Sequence, residues 1–361
     1  MNVKNAINKL FRIGISIPYC FIKRVKRDGV DFFMTEACHI AENSQYQLAF
    51  RKIPKKYDDV PMLDYRTNIS YAIVMQGPIR AEENFTLTTV KYYKRAFPQA
   101  HIIVSTWDDE SKDIIEQIEK AGAYVVLNSK PECTGTLMVN YQLVNSLGGI
   151  KKAAELGAEY IAKTRTDQKI CRLHFLDYCT ALLQNFPNQS DESKENGRIV
   201  TLSMTYGNLF YPYLISDFFY FGKTSDMLKL FSIPLDTRER YIKIKKNATR
   251  REFSKLMIAP EVYIMKNYFQ LLGCTGDDTI KDYWTGVKSN LICVSRKDLD
   301  IVWPKYEDRY RMHHYYGNYF EDDSIDKLKT ENFDFENWIN LYSGILQYRP
   351  EYEKYADVIF K

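Results

Sequence analysis

Tyr160-Ile161-Ala162-Lys163-Thr164-Arg165-Thr166-Asp167-Gln168 opens as a buried strand and ends in two cations, two hydroxyls and a carboxylate. A core strand ordinarily closes in turn residues such as Gly, Asn or Pro. A polar ending suits a strand that delivers groups to a ligand pocket, although a strand can also leave the core and solvate its charges. What the neighbouring strands do at the same edge decides between the two.

Upstream, Ile69 to Met75 reads as a first strand halted by Gln76-Gly77-Pro78. A helix follows from about Glu82 to Phe97, with Leu87, Val90, Tyr93 and Phe97 on one stripe and Pro98 beyond its end. His101 to Ser105 is a second strand running into Thr106-Trp107-Asp108, and a helix with Ile114, Ile115, Ile118 and Ala121 inward stops at Gly122. Ala123 to Leu127 is a third strand. The helix from about Leu137 to Leu156 buries Leu143, Leu147, Ile150 and Ala154 before the opening stretch begins. This alternation predicts an α/β fold, a mostly parallel sheet flanked by helices with right-handed crossovers. Ligands of such sheets bind beyond the carboxyl ends of the strands. Those ends read Gln76-Gly77-Pro78, Thr106-Trp107-Asp108 and Arg165-Thr166-Asp167, three polar exits on one rim.

The second half is mixed. Arg198 to Met204, Ser216 to Phe221 and Leu291 to Ser295 read as strands, and Ala259-Pro260-Glu261 opens a helix that Gly273 closes, with Val262, Met265, Phe269 and Leu272 inward. Thr237 to Lys255 concentrates Arg and Lys with few acids, which reads either as a solvated face or as a surface facing a polyanion or a membrane. Three regions result: an extension over 1–67, a folded body over 68–305, and a helical and aromatic C-terminal part over 306–361 packed on that body. Short helices are expected at Ser324 to Lys329 and Phe335 to Tyr342.

The net charge of +4 over 361 residues is too small for a general nucleic-acid binder. The seven cysteines are scattered, form no Cys-x-x-Cys pair, and point to reduced thiols in a cytoplasmic setting. No stretch reaches the roughly 20 apolar residues of a transmembrane helix. The apolar run Ile13 to Ile22 lies between basic clusters at Lys9 and Arg12 and at Lys23, Arg24, Lys26 and Arg27. That arrangement suits peripheral contact with an anionic membrane surface as well as it suits a tail packed on the body.

Phosphate-loop, dinucleotide-fingerprint, nucleophile-elbow and zinc-protease motifs are all missing from the sequence. A nucleotide-sugar site is consistent with what remains. It must hold a base and ribose at the first strands and neutralise a departing phosphate or diphosphate near the fourth, through a divalent cation or through Arg and Lys directly. Asp167 is the candidate metal ligand, but it lacks an Asp two residues earlier, and Mg or Mn usually needs one or two carboxylates along with the phosphates. Lys163 and Arg165 alternate with Thr164 and Thr166, so on a regular strand the two cations share a face with Asp167. Either the cations meet phosphates with Asp167 orienting them, or the charges form an internal ion pair with no ligand.

Several blocks carry a family resemblance: Tyr71-Ala72-Ile73-Val74-Met75-Gln76-Gly77-Pro78-Ile79, Thr86 to Lys94, Val104-Ser105-Thr106-Trp107, Lys163-Thr164-Arg165-Thr166-Asp167 and Ser216-Asp217-Phe218-Phe219-Tyr220-Phe221-Gly222. In order and spacing they resemble the WavE family of lipopolysaccharide-synthesis proteins from about Ser70 to about Trp303. The resemblance implies a bacterial surface-polysaccharide glycosyltransferase of GT-A-like, Rossmann-type fold, with a nucleotide-sugar donor, a lipid-linked glycan, capsule or lipopolysaccharide acceptor, and no nucleic-acid partner. With the scattered cysteines and the N-terminal basic clusters, the expectation is a cytoplasmic protein, free or peripheral on the inner face of the membrane. The rival of another class is a non-catalytic glycan- or membrane-binding assembly factor.

Carried onto this chain, Gln76, Gly77 and Pro78 border the nucleotide, and Thr106, Trp107 and Asp108 meet the base or ribose. Lys163, Arg165 and Asp167 serve the phosphates, with Asp167 the ligand of any Mn or Mg. If the sugar is inverted, a carboxylate takes the acceptor proton. Asp217 and Glu261 are the candidates, Asp217 preferred because an acid such as Glu261 in a first helical turn is already favoured by the helix dipole. His313-His314 is a further candidate for the leaving phosphates.

Overall fold

The computed structural model describes residues 13–20, 29–41, 68–188, 197–202, 209–295, 298–303 and 333–357. The basic clusters around Ile13 to Ile22, His313-His314 and the helix expected at Ser324 to Lys329 lie outside the described residues. Residues 13–20 and Gly29–Ala41 are helical.

Strand β1 (Tyr71–Gln76) is buried along its whole length, as its unbroken apolar run requires in a sheet covered on both faces. Helix α1 (Phe85–Ala96) leads to β2 (His101–Trp107), α2 (Lys112–Lys120) to β3 (Tyr124–Asn128), and α3 (Val139–Glu155) to β4 (Tyr160–Arg165). Beyond β4 come β5 (Lys169–Ile170), α4 (Phe175–Asn185), β6 (Ile199–Leu202), β7 (Tyr220–Lys223), α5 (Thr224–Phe231), α6 (Arg250–Leu256), α7 (Pro260–Leu271), α8 (Ile280–Asn290), β8 (Leu291–Val294), β9 (Ile301–Val302) and α9 (Phe335–Ser343). Seven strands form one sheet in the order β3-β2-β1-β4-β7-β6-β8. β1 pairs in parallel with both β2 and β4, placing Gln76 beside Ser105 on one side and Arg165 on the other. The result is the mostly parallel, helix-flanked sheet of the GT-A-like expectation.

One strand departs from that direction. β7 runs antiparallel to both β4 and β6, while β6 and β8 pair in parallel. A parallel return needs a long crossover, usually a helix, and residues 209–219 of the link from β6 to β7 contain none. The strand expected over Ser216 to Phe221 begins only at Tyr220. Asp217 therefore sits in the irregular approach to β7 and not at a strand start, and its carbonyl is engaged by side chains instead of a ladder partner.

Two helices also begin later than their periodicity suggests. Glu83 and Asn84, at φ 53° and 52°, interrupt the expected Glu82 to Phe97 helix, and Leu137 and Met138, at φ 48° and 65°, precede α3. α3 lies close on the sheet because Gly148 and Gly149 carry no side chain. A Cβ on Gly149 would fall 2.4 Å from Val74 Cγ1, and one on Gly148 2.1 Å from Asn128 Oδ1. The C-terminal helix α9 closes the far side of the core. Trp338 is fully buried there and donates its indole N–H to the Leu291 carbonyl at 2.7 Å.

Candidate functional site

The three polar exits are joined into one rim by side-chain hydrogen bonds. After β4, the Thr166 backbone N–H donates to the Gln76 carbonyl at 3.1 Å and its hydroxyl to the Pro78 carbonyl at 2.6 Å. The Thr86 hydroxyl in turn donates to the Thr166 carbonyl at 2.9 Å. Gly77 has φ +116°, which disfavours a side chain, and a Cβ there would press on Thr166 Oγ1 at 3.2 Å. Glu110 ties the second exit to the first, with one carboxylate oxygen accepting from the Ile79 N–H at 2.7 Å and from the Thr106 hydroxyl at 2.9 Å. Thr106 and Trp107 are consequently buried, the indole edge-on to Tyr141 at 5.0 Å. Asp108, exposed and accepting from Ser129 Oγ at 2.6 Å, is the part of this exit that reaches solvent.

The charges beyond β4 divide into two arrangements. Arg165 and Asp167 form a two-point ion pair, Nε to Oδ1 at 2.9 Å and Nη2 to Oδ2 at 3.2 Å, with the guanidinium 5.2 Å from the Trp303 ring centroid. Strand β4 ends at Arg165, so Asp167 reaches its partner from the following turn and not from a continued strand face. Lys163, two residues earlier, is fully buried. Its Nζ donates to the Asp217 carbonyl at 2.7 Å and lies 5.6 and 5.9 Å from the rings of Tyr220 and Phe231. Gln142, from the first turn of α3, donates to the same carbonyl at 3.4 Å.

Electrostatics bind these groups to Glu261, half-buried in the first turn of α7. Burial, aided by the positive charge of Arg165, lowers the Lys163 ammonium to about 7, against the opposing pull of Asp217, Asp167 and Glu261. The Glu261 carboxyl is pushed upward, first by burial and second by the negative charge of Asp217, while its backbone amide, Arg165 and Lys163 oppose the shift. The helix N-terminus that would ordinarily favour its carboxylate is thus outweighed. Two cations and three acids from the β4 exit, the approach to β7 and the start of α7 act on one another. A carboxyl held protonated into the neutral range is suited to proton exchange with a substrate.

Asp167 does not look like a metal ligand. Both of its oxygens are taken by Arg165, and among the described residues no three His, Cys, Asp or Glu side chains gather where they could hold an ion. The described residues do not make a divalent-cation site of their own. The geometry also adds Glu110, Gln142 and Trp303, which pattern did not single out. Glu110 braces the rim with Thr166, Gln142 joins Lys163 on the Asp217 carbonyl, and Trp303 covers Arg165. Their strand-end or helix-start positions were readable, but the contacts join residues far apart in the chain.

The profile of a family described as WavE lipopolysaccharide synthesis matches residues 71–355. No curated protein matches the chain in sequence. Solved structures similar to it include a protein described as a glucose-1-phosphate thymidylyltransferase from Bacillus anthracis, with 7% identity over 46% of this chain and 76% of that one and a TM-score of 0.29. A mannose-1-phosphate geranyltransferase from Thermus thermophilus shows 13% identity over 63% and 73%, with a TM-score of 0.28. A protein described as a nucleotide-diphospho-sugar transferase from Desulfovibrio desulfuricans shows 8% over 45% and 67%, with a TM-score of 0.27. At such identities and scores, nothing these proteins bind or do transfers to the chain.

Proposed function

The chain belongs to the WavE lipopolysaccharide-synthesis family, and on that premise we propose that it is a glycosyltransferase moving a sugar from a nucleotide donor to a lipid-linked glycan or lipopolysaccharide acceptor. The observation that carries the reading is the Arg165–Asp167 ion pair and the Lys163–Asp217 contact gathered at the carboxyl edge of a parallel sheet, where ligands of such sheets bind. Gly77 leaves its backbone open to close approach by the nucleotide, with Gln76, Pro78, Thr106 and Trp107 forming the wall and Asp108 meeting ribose or base. Arg165, oriented by Asp167, faces the diphosphate, and Lys163 lies buried behind it, acting on the site through its charge. An arriving anion returns Lys163 to its charged form, so donor binding and proton uptake are coupled. In its ionised form Glu261 takes the acceptor hydroxyl proton as the acceptor oxygen bonds to the sugar C1 and the C1–O bond to the diphosphate breaks, the nucleotide leaving with that electron pair; Asp217 raises the basicity of Glu261 by adjacent negative charge.

The body is expected to work at the cytoplasmic face of the membrane in peripheral contact with it. Among the described residues no helix is long and apolar enough to cross a membrane. Deleting residues 1–28 tests the contribution of the N-terminal basic clusters to vesicle binding. A panel of nucleotides and nucleotide sugars in thermal-shift experiments, with and without manganese, tests the transferase reading itself. A rise in melting temperature with one nucleotide class supports it. No shift with any of them removes its main support and leaves a glycan- or membrane-binding assembly factor as the better account.

A further inference from the structure

Beyond the rim, three chain segments meet in a second surface. The Leu137 N–H donates to the Arg240 carbonyl at 2.8 Å, Cys133 Sγ donates to the Asp236 carbonyl at 3.4 Å, and the Arg238 guanidinium donates to the carbonyls of Leu256 and Met257. Arg238 is itself clamped by Asp236, Nε to Oδ1 at 2.8 Å, and that carboxyl is lowered to about 2: burial opposes the shift but is outweighed by Arg238 and the Thr136 amide. This buried brace holds out an unusual set of side chains. Tyr241 is 67% exposed, and Leu137, Met138, Leu235, Ile244 and Leu256 are 38–46% exposed. Leu137 and Met138 are moreover fixed in left-handed backbone at φ 48° and 65°, a conformation that costs free energy in non-glycine residues.

Cations are interleaved with these apolar groups. Arg240, Lys243, Lys245 and Lys246 are exposed around Tyr241 and Ile244, Glu239 is the one acid between Thr237 and Arg251, and Glu252 pairs with Lys245 at 3.7 Å. A merely solvated face gains nothing from exposed aliphatic side chains at the same level as its charges. A polyanion read by stacking calls for aromatic platforms, whereas here five of the six apolar groups are aliphatic. Aliphatic groups beside Lys and Arg suit the boundary between anionic headgroups and acyl chains. We infer that the surface formed by Leu137–Met138, Leu235–Lys246 and Leu256 seats the protein on an anionic phospholipid bilayer. It adjoins the site on two sides. Met257 lies three residues before the start of α7, whose first turn holds Glu261, and Met138 is followed by the first turn of α3, whose Gln142 reaches the Asp217 carbonyl. A bilayer on this surface presents a lipid-linked acceptor to the Asp217–Glu261 side. That last clause rests on the transferase reading, while the docking itself does not.

The test uses the full chain and phosphatidylcholine vesicles with and without phosphatidylglycerol, in the absence of any nucleotide. Binding is expected to the anionic vesicles only and to weaken with salt. The triple variant Lys243→Gln, Lys245→Gln, Lys246→Gln should keep the wild-type melting temperature and lose affinity about a hundredfold, given the usual contribution of each juxtamembrane cation. Ile244→Trp should gain fluorescence that brominated lipids quench. Undiminished binding by the triple variant, with loss on deletion of residues 1–28, would assign the membrane contact elsewhere and overturn the inference. Tighter binding to single-stranded RNA than to anionic vesicles at the same salt would also overturn it. Vesicle binding without any nucleotide-dependent melting shift would instead count against the transferase reading alone.

Discussion

Lys163 allows the energetics of the site to be tested without knowing its ligand. Its ammonium falls from an ordinary 10.5 to about 7, chiefly because it is buried, and it donates its hydrogen bond to a neutral carbonyl. Between those two values the unfolded chain holds a proton that the folded chain has released, so stability rises with pH across the window. Below about 7 the folded protein bears the full cost of a buried ammonium. The roughly 3–4 pH units between the two values, at about 1.36 kcal/mol each, put that cost near 5 kcal/mol. Lys163→Met removes the titration and keeps an unbranched side chain. Glu261 feels Lys163 directly, so the comparison belongs in a Glu261→Gln background. Urea unfolding of Glu261→Gln with and without Lys163→Met, from about pH 7 to about pH 9, should show the lysine form gaining about 1.4 kcal/mol per pH unit relative to the methionine form. A difference that stays constant with pH would refute the reasoning, since it would mean that Lys163 keeps its proton in the folded protein.

Three further outcomes are expected. Asp167→Asn breaks a partly exposed pair and should change the unfolding free energy by about 1 kcal/mol, yet abolish the melting shift with nucleotide sugars. A retained shift would remove Asp167 from the donor site. Gly149→Ala should lower the melting temperature, because the new methyl group meets Val74 and Ser105 at 2.4 and 2.9 Å and overpacking of about 1–3 kcal/mol exceeds the helix-propensity gain of about 1 kcal/mol. A melting temperature at or above wild type would show that α3 does not lie so close on the sheet. Lys266→Met removes the cation that holds Asp278 at 2.8 and 2.9 Å and leaves the buried carboxylate only the Ser254 hydroxyl among the described residues, which should cost about 3–5 kcal/mol. Adding Asp278→Asn should restore much of it, since Asn tolerates the left-handed backbone at φ 65°. Equal stability of the single and double variants would contradict this.

The first four strands were readable because each is a short apolar run between turn residues, and the helices between them carry one inward stripe. Leu87, Val90 and Tyr93 are buried as their spacing predicts, and so are Leu143 and Ile150, although Ala153 takes the inward place expected of Ala154. The rim was readable for the same reason, since strand ends in a parallel sheet fall at a common edge. Asp217 was found as a residue but misplaced in the fold, because an apolar run such as Phe218 to Phe221 does not reveal where ladder pairing begins or in which direction the strand runs. The preference for Asp217 over Glu261 rested on helix-dipole logic that treats a first-turn acid as solvated. In the folded chain Glu261 is half-buried under the negative charge of Asp217, and desolvation with like charge reverses the direction of its shift.

By itself, then, the sequence determined the α/β class, the succession of the parallel strands and the composition of the edge where they end, because those properties follow from periodicity and local backbone preference. Tertiary structure decided the rest. Only folding buries Lys163 against the Asp217 carbonyl, closes Arg165 on Asp167, reverses β7, and brings Leu137 beside Arg240. Each of these joins residues distant in the chain or depends on the loss of water around a charge, and neither separation in space nor desolvation leaves a mark in the order of the amino acids.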